Sequence, residues 1–120
     1  MKLVKTEVLE WGIKFTFADG SYCEKHYSGD EYWYNANGKR HRDNDKPAVV
    51  EINGQKEWWV NDEIHRENDK PAIIWADGTK IWLDKGKLHR DNDQPAKIYA
   101  NGAKEWWIKN KNIKKEYPGG

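Results

Sequence analysis

The feature that most constrains the fold of this chain is a repeat of 24 residues. The string His-Arg-acid-Asn-Asp-x-Pro-Ala occurs three times, starting at His41, His65 and His89. Each copy leads to an Asn-Gly or Asp-Gly pair, and a tryptophan follows that glycine four residues later. A fixed period of this length is typical of proteins in which each repeat is one supersecondary unit that stacks on its neighbours. The 120 residues are therefore predicted to form one domain, built as an array.

Each repeat contains two strand candidates around a tight turn. Segments such as "PAIIWA" are rich in β-branched and aromatic residues and end at the turn pair, and segments such as "KIWLD" return after it. We therefore expect an all-β fold of stacked antiparallel β-hairpin repeats of 24 residues that form an elongated twisted sheet. The predicted boundaries are a diverged capping hairpin over 1–28, the array over 29–113 and a C-terminal tail over 114–120.

Strand alternation predicts which residues form the core. Ala48, Val50 and Ile52 fall on one face, which is more uniformly apolar than the other, so we assign that face to the interior. The equivalent positions in the later repeats are Ala72, Ile74, Ala76, Ala96, Ile98 and Ala100. The tryptophan after each turn is the same in every copy, and we expect it to be a stacking core residue at Trp33, Trp58, Trp82 and Trp106.

The order tryptophan, Gly-Lys-x-His and alternating strand, as in "WLDKGKLHRDNDQPAKIYANG", resembles the MORN repeat over residues 29–113. The His-Arg-acid-Asn-Asp-x-Pro-Ala version is similar to a MORN-like variant of small proteins from bacteria, phages and large DNA viruses. The resemblance implies hairpins that stack into one elongated sheet. It implies no membrane association here, because the chain has no basic patch.

The repeated string could be a chemical site or a structural loop. Two strands per repeat place successive histidines about 10 Å apart, whereas metal ligands lie about 2.0 to 2.6 Å from their ion. The copies therefore cannot share an ion, and a calcium ion held by Asp43, Asn44 and Asp45 would lack further ligands. Identical groups in identical surroundings are also unlike a catalytic site, so we predict no catalytic residue, metal or cofactor.

We interpret the string as a loop held by Asx turns of its Asp and Asn side chains and by ion pairs within and between loops. On this interpretation, alanine at Asp45, Asp69 or Asp93 lowers the melting temperature. The predicted loop residues are His41, Arg42, Asp43, Asp45, His65, Arg66, Glu67, Asp69, His89, Arg90, Asp91 and Asp93.

Charge and cysteine content limit the partners. The net charge is +1 and the two signs are mixed along the chain, which argues against nucleic acid or a membrane as partner. Cys23 is the sole cysteine and there is no long apolar run, so we expect a cytoplasmic protein, of the cell itself or of a host cell.

These observations predict a non-enzymatic protein-binding module. By analogy, a small inhibitor of the antitoxin, immunity or viral counter-defence type fits a chain built of one repeat. The alternatives are a multivalent glycan-binding module and a structural or self-associating scaffold. The predicted partner-binding residues are aromatic or apolar positions that vary between copies, at Tyr34, Trp59, Trp75, Leu83, Tyr99 and Trp107.

Overall fold

Within the part of the chain that the structure describes, eleven antiparallel strands form the main sheet, and two small hairpins lie beside it. The computed structural model describes residues 2–118, which extend over 53 × 25 × 19 Å. The prediction of an elongated all-β array of stacked antiparallel hairpins is confirmed. The strands are β1 (Leu3–Val8), β2 (Gly12–Phe17), β3 (Tyr22–His26), β4 (Glu31–Tyr34), β5 (Val49–Val50), β6 (Lys56–Glu57), β7 (Trp59–Val60), β8 (Glu63–Ile64), β9 (Ile73–Ile74), β10 (Lys80–Ile81), β11 (Leu83–Asp84), β12 (Lys87–Leu88), β13 (Lys97–Ile98), β14 (Lys104–Ile108) and β15 (Lys111–Glu116).

A complete repeat contributes one hairpin to the main sheet and a second, smaller hairpin beside it. β9 and β10 pair in the main sheet, and β11 pairs only with β12. β5, β6, β7 and β8 repeat this arrangement one period earlier. The residues between β6 and β9 are therefore not one irregular loop, because the small hairpin of β7 and β8 precedes the His-Arg string.

The invariant tryptophan is the point where the chain passes from one sheet to the other. The backbone N–H of Trp58 donates to the carbonyl of Ala72 at 2.8 Å, whereas its own carbonyl accepts from His65 at 3.0 Å. Trp82 makes the same two bonds one repeat later, at 2.7 and 3.3 Å. The returning strand that the sequence predicts, "KIWLD" in the repeat of Trp82, is therefore divided at its central tryptophan.

The Asn-Asp pair of the repeated string has a conformational role. Asn44 and Asp45 both have left-handed backbones, with φ of 64° and 56°. The later copies of the pair share these values within a few degrees, and Asn and Asp are the L residues that best tolerate this region. The Asx turns that we expected in this loop occur instead at the sheet turns, where Asn53 accepts from the N–H of Gln55.

The core prediction holds only near the loops. Ala48, Ala72 and Ala96 are fully buried, and Trp58 and Trp82 are each 7% exposed, as predicted. Trp33 and Trp106, at the two ends of the array, are only half-buried.

The same prediction is wrong near the turns. Ile52 is 73% exposed and Ala76 and Ala100 are also exposed, whereas Val49 on the opposite face is buried. The buried alanines adjoin the tryptophans and loops, and the exposed positions adjoin the Asn-Gly and Asp-Gly turns. At these apolar positions burial therefore depends on nearness to the loops more than on the face of the sheet, whereas the polar Thr79, directly after an Asp-Gly turn, is fully buried.

The two ends of the chain add strands to the array. The predicted capping hairpin is β2 and β3, joined through Asp19 and Gly20, and β1 pairs outside it as an edge strand. Residues 114–116 of the predicted tail belong to β15. Met1 of the cap and Gly119 and Gly120 of the tail lie outside the described residues.

Candidate functional site

Consecutive loops are joined by a unit of three side chains, which we call a rung. The guanidinium of Arg66 lies 3.8 Å from the centroid of the Trp58 ring. Its Nε and Nη2 donate to the two carboxylate oxygens of Asp45, in the preceding loop, at 2.9 and 3.3 Å. The indole Nε1 of Trp58 donates to the backbone carbonyl of Asp45 at 3.1 Å. The guanidinium is also tied to its own loop through the carbonyl of Pro71, at 3.2 Å.

A second rung repeats this geometry one period later. Arg90 lies 3.8 Å over Trp82 and donates to Asp69 at 2.9 and 3.2 Å. The Trp82 Nε1 bonds the carbonyl of Asp69 at 3.0 Å, and Arg90 bonds that of Pro95 at 3.0 Å. Each arginine of a complete rung thus pairs with the acid of the loop before its own.

The rungs at both ends of the array are incomplete. At the N-terminal end Arg42 stacks on Trp33 at 3.8 Å, but the carboxylate nearest to it is Glu31, at 3.9 Å. At the C-terminal end Lys114 takes the place of an arginine, with its Nζ 4.6 Å from the centroid of Trp106. The backbone carbonyl of Asp93 accepts from Trp106, but within residues 2–118 the Asp93 carboxylate has no arginine partner.

The three histidines of the repeated string connect each loop to a segment that follows it in the chain, whereas the arginines connect each loop to the preceding one. His41 Nε2 contacts Asp43 Oδ1 of its own loop at 2.7 Å, and its Nδ1 accepts the backbone N–H of Asn61 at 3.2 Å. The tautomer with its proton on Nε2 satisfies both bonds. His65 and His89 make the equivalent pairs of contacts, with Nε2 on the acid of their own loop and Nδ1 on a backbone N–H further along the chain. The Nδ1 bond joins the loops of His41 and His65 to the next small hairpin, and it joins the loop of His89 to the turn between β14 and β15. Within residues 2–118 no three His, Cys, Asp or Glu side chains form a metal-binding group.

Charge and burial shift the pKa values in this region in opposite directions. Hydrogen bonds from Arg66 and then Lys70 lower the pKa of Asp45 to about 2, and Arg90 lowers that of Asp69. Burial, followed by the charge of Glu31, raises the pKa of Cys23 to about 11. The buried Cys23 thiol is therefore protonated at neutral pH and is a poor nucleophile.

The predicted partner-binding residues, Tyr34, Trp59, Trp75, Leu83, Tyr99 and Trp107, are all half-buried, and we call them the outer aromatic set. Glu105 joins two of them, because its carboxylate accepts from Trp107 Nε1 at 2.9 Å and from the Tyr99 hydroxyl at 3.1 Å. Lys97 Nζ lies 4.7 Å from the centroid of Tyr99 and 4.9 Å from that of Trp75. These contacts connect Trp75, Tyr99 and Trp107 into one cluster.

A second cluster lies towards the N-terminal end of the set. The guanidinium of Arg40 is 5.6 Å from the ring of Tyr34 and 5.4 Å from that of Trp59. Trp59 Nε1 donates to Glu57 at 2.9 Å. Leu83 occupies the matching position of the middle repeat, opposite Leu88 in the small hairpin.

Sequence reasoning missed the charged residues that hold these rings. The signal for Glu105 was present, because it stands two residues before Trp107 on the same strand, β14, and therefore shares its face. Glu57 stands two residues before Trp59 as well, but the chain changes sheets between them at Trp58, so alternation alone does not place this pair. Arg40 and Lys97 lie over rings that belong to neighbouring strands, so no pattern in the sequence around these two residues predicts the contacts.

Grooves of similar size run between successive loops. Two of them, beside Trp58 and Trp82, have volumes of about 260 and about 250 Å³. Arg66 and Arg90 lie over these two rings. The invariant tryptophans thus each have one ring face covered, which makes them poor stacking platforms for a ligand.

Comparisons with protein-family models, with curated proteins and with solved structures gave no match. The resemblance to the MORN repeat therefore remains a prediction. A membrane-spanning helix is not found within residues 2–118.

The rungs predict unequal effects of alanine at equivalent aspartates. Asp45→Ala and Asp69→Ala each leave an arginine without its carboxylate, and since these pairs are partly exposed we expect a loss of about 0.5 to 1 kcal/mol of unfolding free energy. Asp93→Ala serves as the matched control, because its backbone has the same left-handed conformation, with φ of 56°, but its carboxylate has no arginine partner within residues 2–118. It shares the conformational cost of alanine at this position and should therefore show the smallest loss of the three. Denaturant unfolding of the three variants measures the difference, and equal losses at all three positions would contradict the role of the rung.

Completing the last rung should stabilise the array. Lys114→Arg places a guanidinium over Trp106 within reach of Asp93, and we expect a gain of about 0.5 kcal/mol. The gain should disappear when Asp93→Ala is added, so a double-mutant cycle is the measurement. A gain that persists without the Asp93 carboxylate would show that no rung had formed.

The lowered pKa of Asp45 predicts acid sensitivity. Its folded pKa is about 2, below the unfolded value of about 4, so its contribution is present above about pH 4 and is lost as the pH falls towards 2. Asp45→Asn should lower the unfolding free energy at pH 7, and its difference from the unaltered chain should shrink as the pH falls below about 4 and disappear only below about pH 2. A difference that stays constant with pH would exclude this ion pair as its cause.

Proposed function

We propose that this protein is a non-enzymatic binding module whose outer aromatic set contacts a partner protein. The observation that carries the proposal is the cluster of Trp75, Tyr99 and Trp107, whose rings are half-exposed and yet fixed by Lys97 and Glu105. Trp and Tyr are the residues most enriched among binding hot spots. Rings held in place before binding lose less conformational entropy when a partner arrives.

A blocking role is the form of binding that suits this shape. The array offers a long surface, 53 Å in its largest dimension, held from loop to loop by the rungs. We propose a small intracellular inhibitor of the antitoxin, immunity or viral counter-defence type, with a MORN-like repeat as its scaffold. The buried, protonated Cys23 is compatible with a reducing cytoplasm.

Two substitutions within the cluster test the proposal. Trp75→Ala and Trp107→Ala should each weaken partner binding at least about tenfold, since loss of a hot-spot aromatic costs more than about 1.4 kcal/mol. The matched control is Tyr27→Ala, which removes an aromatic ring that is 64% exposed and lies outside the outer aromatic set. Each variant is immobilised, lysate of the producing cells is applied, and quantitative mass spectrometry compares the retained proteins after melting curves have shown that all variants are folded.

The expected result is a protein retained in stoichiometric amount by the unaltered chain and by Tyr27→Ala and largely lost from the two tryptophan variants. Equal retention by all four chains would refute binding through this cluster. A glycan panel applied to the same variants distinguishes the alternative, because glycan binding that depends on Trp75 or Trp107 would identify a carbohydrate-binding module instead.

A further inference from the structure

The main sheet ends in two strands of different character. β1 and β15 are its edges, and an open edge presents unpaired backbone groups to solution. β15 carries Lys111, Lys114 and Lys115, the kind of charge that discourages pairing at an edge. β1 instead exposes Val4 and Val8, which are 57% and 74% accessible.

We propose that β1 pairs with β1 of a second copy of this chain, antiparallel and centred on Thr6. This inference concerns the edge of the sheet and is independent of the outer aromatic set. The resulting dimer would join two main sheets end to end through their cap strands and would present two binding faces to a partner.

The backbone N–H and C=O groups of β1 point in the directions that this pairing needs. Leu9 and Gly12 exchange both hydrogen bonds at the turn into β2, at 2.8 and 3.4 Å. Antiparallel ladders alternate, so the backbone groups of Glu7 point towards β2, and those of Thr6 point away from the sheet. A twofold axis at Thr6 would then make the two Thr6 residues a hydrogen-bonded pair.

The side chains of β1 are self-complementary about the same point. The twofold axis places Lys5 opposite Glu7 of the second copy, twice by symmetry, and Val4 opposite Val8. Lys5 and Glu7 project on one face, since their charged atoms already lie 3.7 Å apart within the strand. Opposite charges and apolar pairs directly across an antiparallel ladder are each worth about 0.2 to 1 kcal/mol relative to alanine.

Two features of the edge strands favour pairing at residues 5–8 of β1 over pairing elsewhere on β1 or on β15. A register shift in the pairing with β2, between Leu3 and Lys5, confines the regular part of the edge to residues 5–8, which carry the Thr6 pair and the two pairs of Lys5 with Glu7. Val4 lies within the shift, so its pair with Val8 is at the margin of the interface. The same twofold arrangement on β15, centred on Ile113, would place Lys111 opposite Lys115 and is opposed by like charges.

Charge reversal tests the dimer. Lys5→Glu and Glu7→Lys each place like charges opposite one another, so either variant alone should sediment as a monomer under conditions where the unaltered chain sediments as a dimer. An equimolar mixture of the two variants should restore the dimer, because each charged pair across the twofold axis then joins a glutamate of one variant to a lysine of the other. Lys115→Glu, on β15, is the control and should leave the dimer unchanged.

A cross-link provides a second measurement, which is needed because Glu7 also lies opposite Lys14 of β2 and its reversal could unfold the cap. Hydrogen-bonded antiparallel partners have Cα atoms about 5.5 Å apart, within disulfide range, so Thr6→Cys should oxidise to a covalent dimer. Lys115→Cys is the control and should not do so, and Cys23 is buried. A monomeric unaltered chain, a dimer that survives either reversal, folded reversed variants that stay monomeric when mixed, or equal cross-linking at positions 6 and 115 would each overturn the proposal.

Discussion

The arginine of each rung is the contact on which the array most depends. Its guanidinium lies 3.8 Å over a tryptophan ring and pairs through two nitrogens with the aspartate of the preceding loop. The indole of that tryptophan also donates a hydrogen bond to the backbone of the same aspartate. Each of the three residues therefore contacts the other two. The two parallel hydrogen bonds of the guanidinium have a fixed geometry, so the ion pair orients each loop relative to the preceding loop as well as attracting it.

This arrangement explains how a chain of mean hydropathy −1.14 forms a folded array. The buried apolar set is small, and its alanines adjoin the tryptophans that the arginines cover. A cation–π contact allows a charged guanidinium to cover the face of an aromatic ring favourably, as an apolar side chain would in an ordinary core. The abundance of charge is therefore part of the packing, and the half-buried tryptophans at the two ends mark where the rungs are incomplete.

The fold divides its surface into parts with different tasks. The loops use their histidines, arginines and aspartates on one another, whereas the outer aromatic set, where the repeats differ, is the surface that we propose contacts a partner. The two edges of the sheet differ as well. The lysines of β15 oppose pairing, whereas β1 carries charges that complement a second copy of itself.

The sequence by itself determined the period, the all-β class, the sheet turns at Asn-Gly and Asp-Gly and the burial of Trp58 and Trp82, because alternation, turn chemistry and repetition are local properties. It also indicated that the His-Arg string is a loop. Only the tertiary structure decided that Arg66 pairs with Asp45 of the loop before it, that the returning strand divides at Trp58, and that Ile52 is exposed. These features depend on which elements of neighbouring repeats lie side by side. Strand alternation describes only the two faces of a single strand, so it does not predict contacts between residues of different repeats.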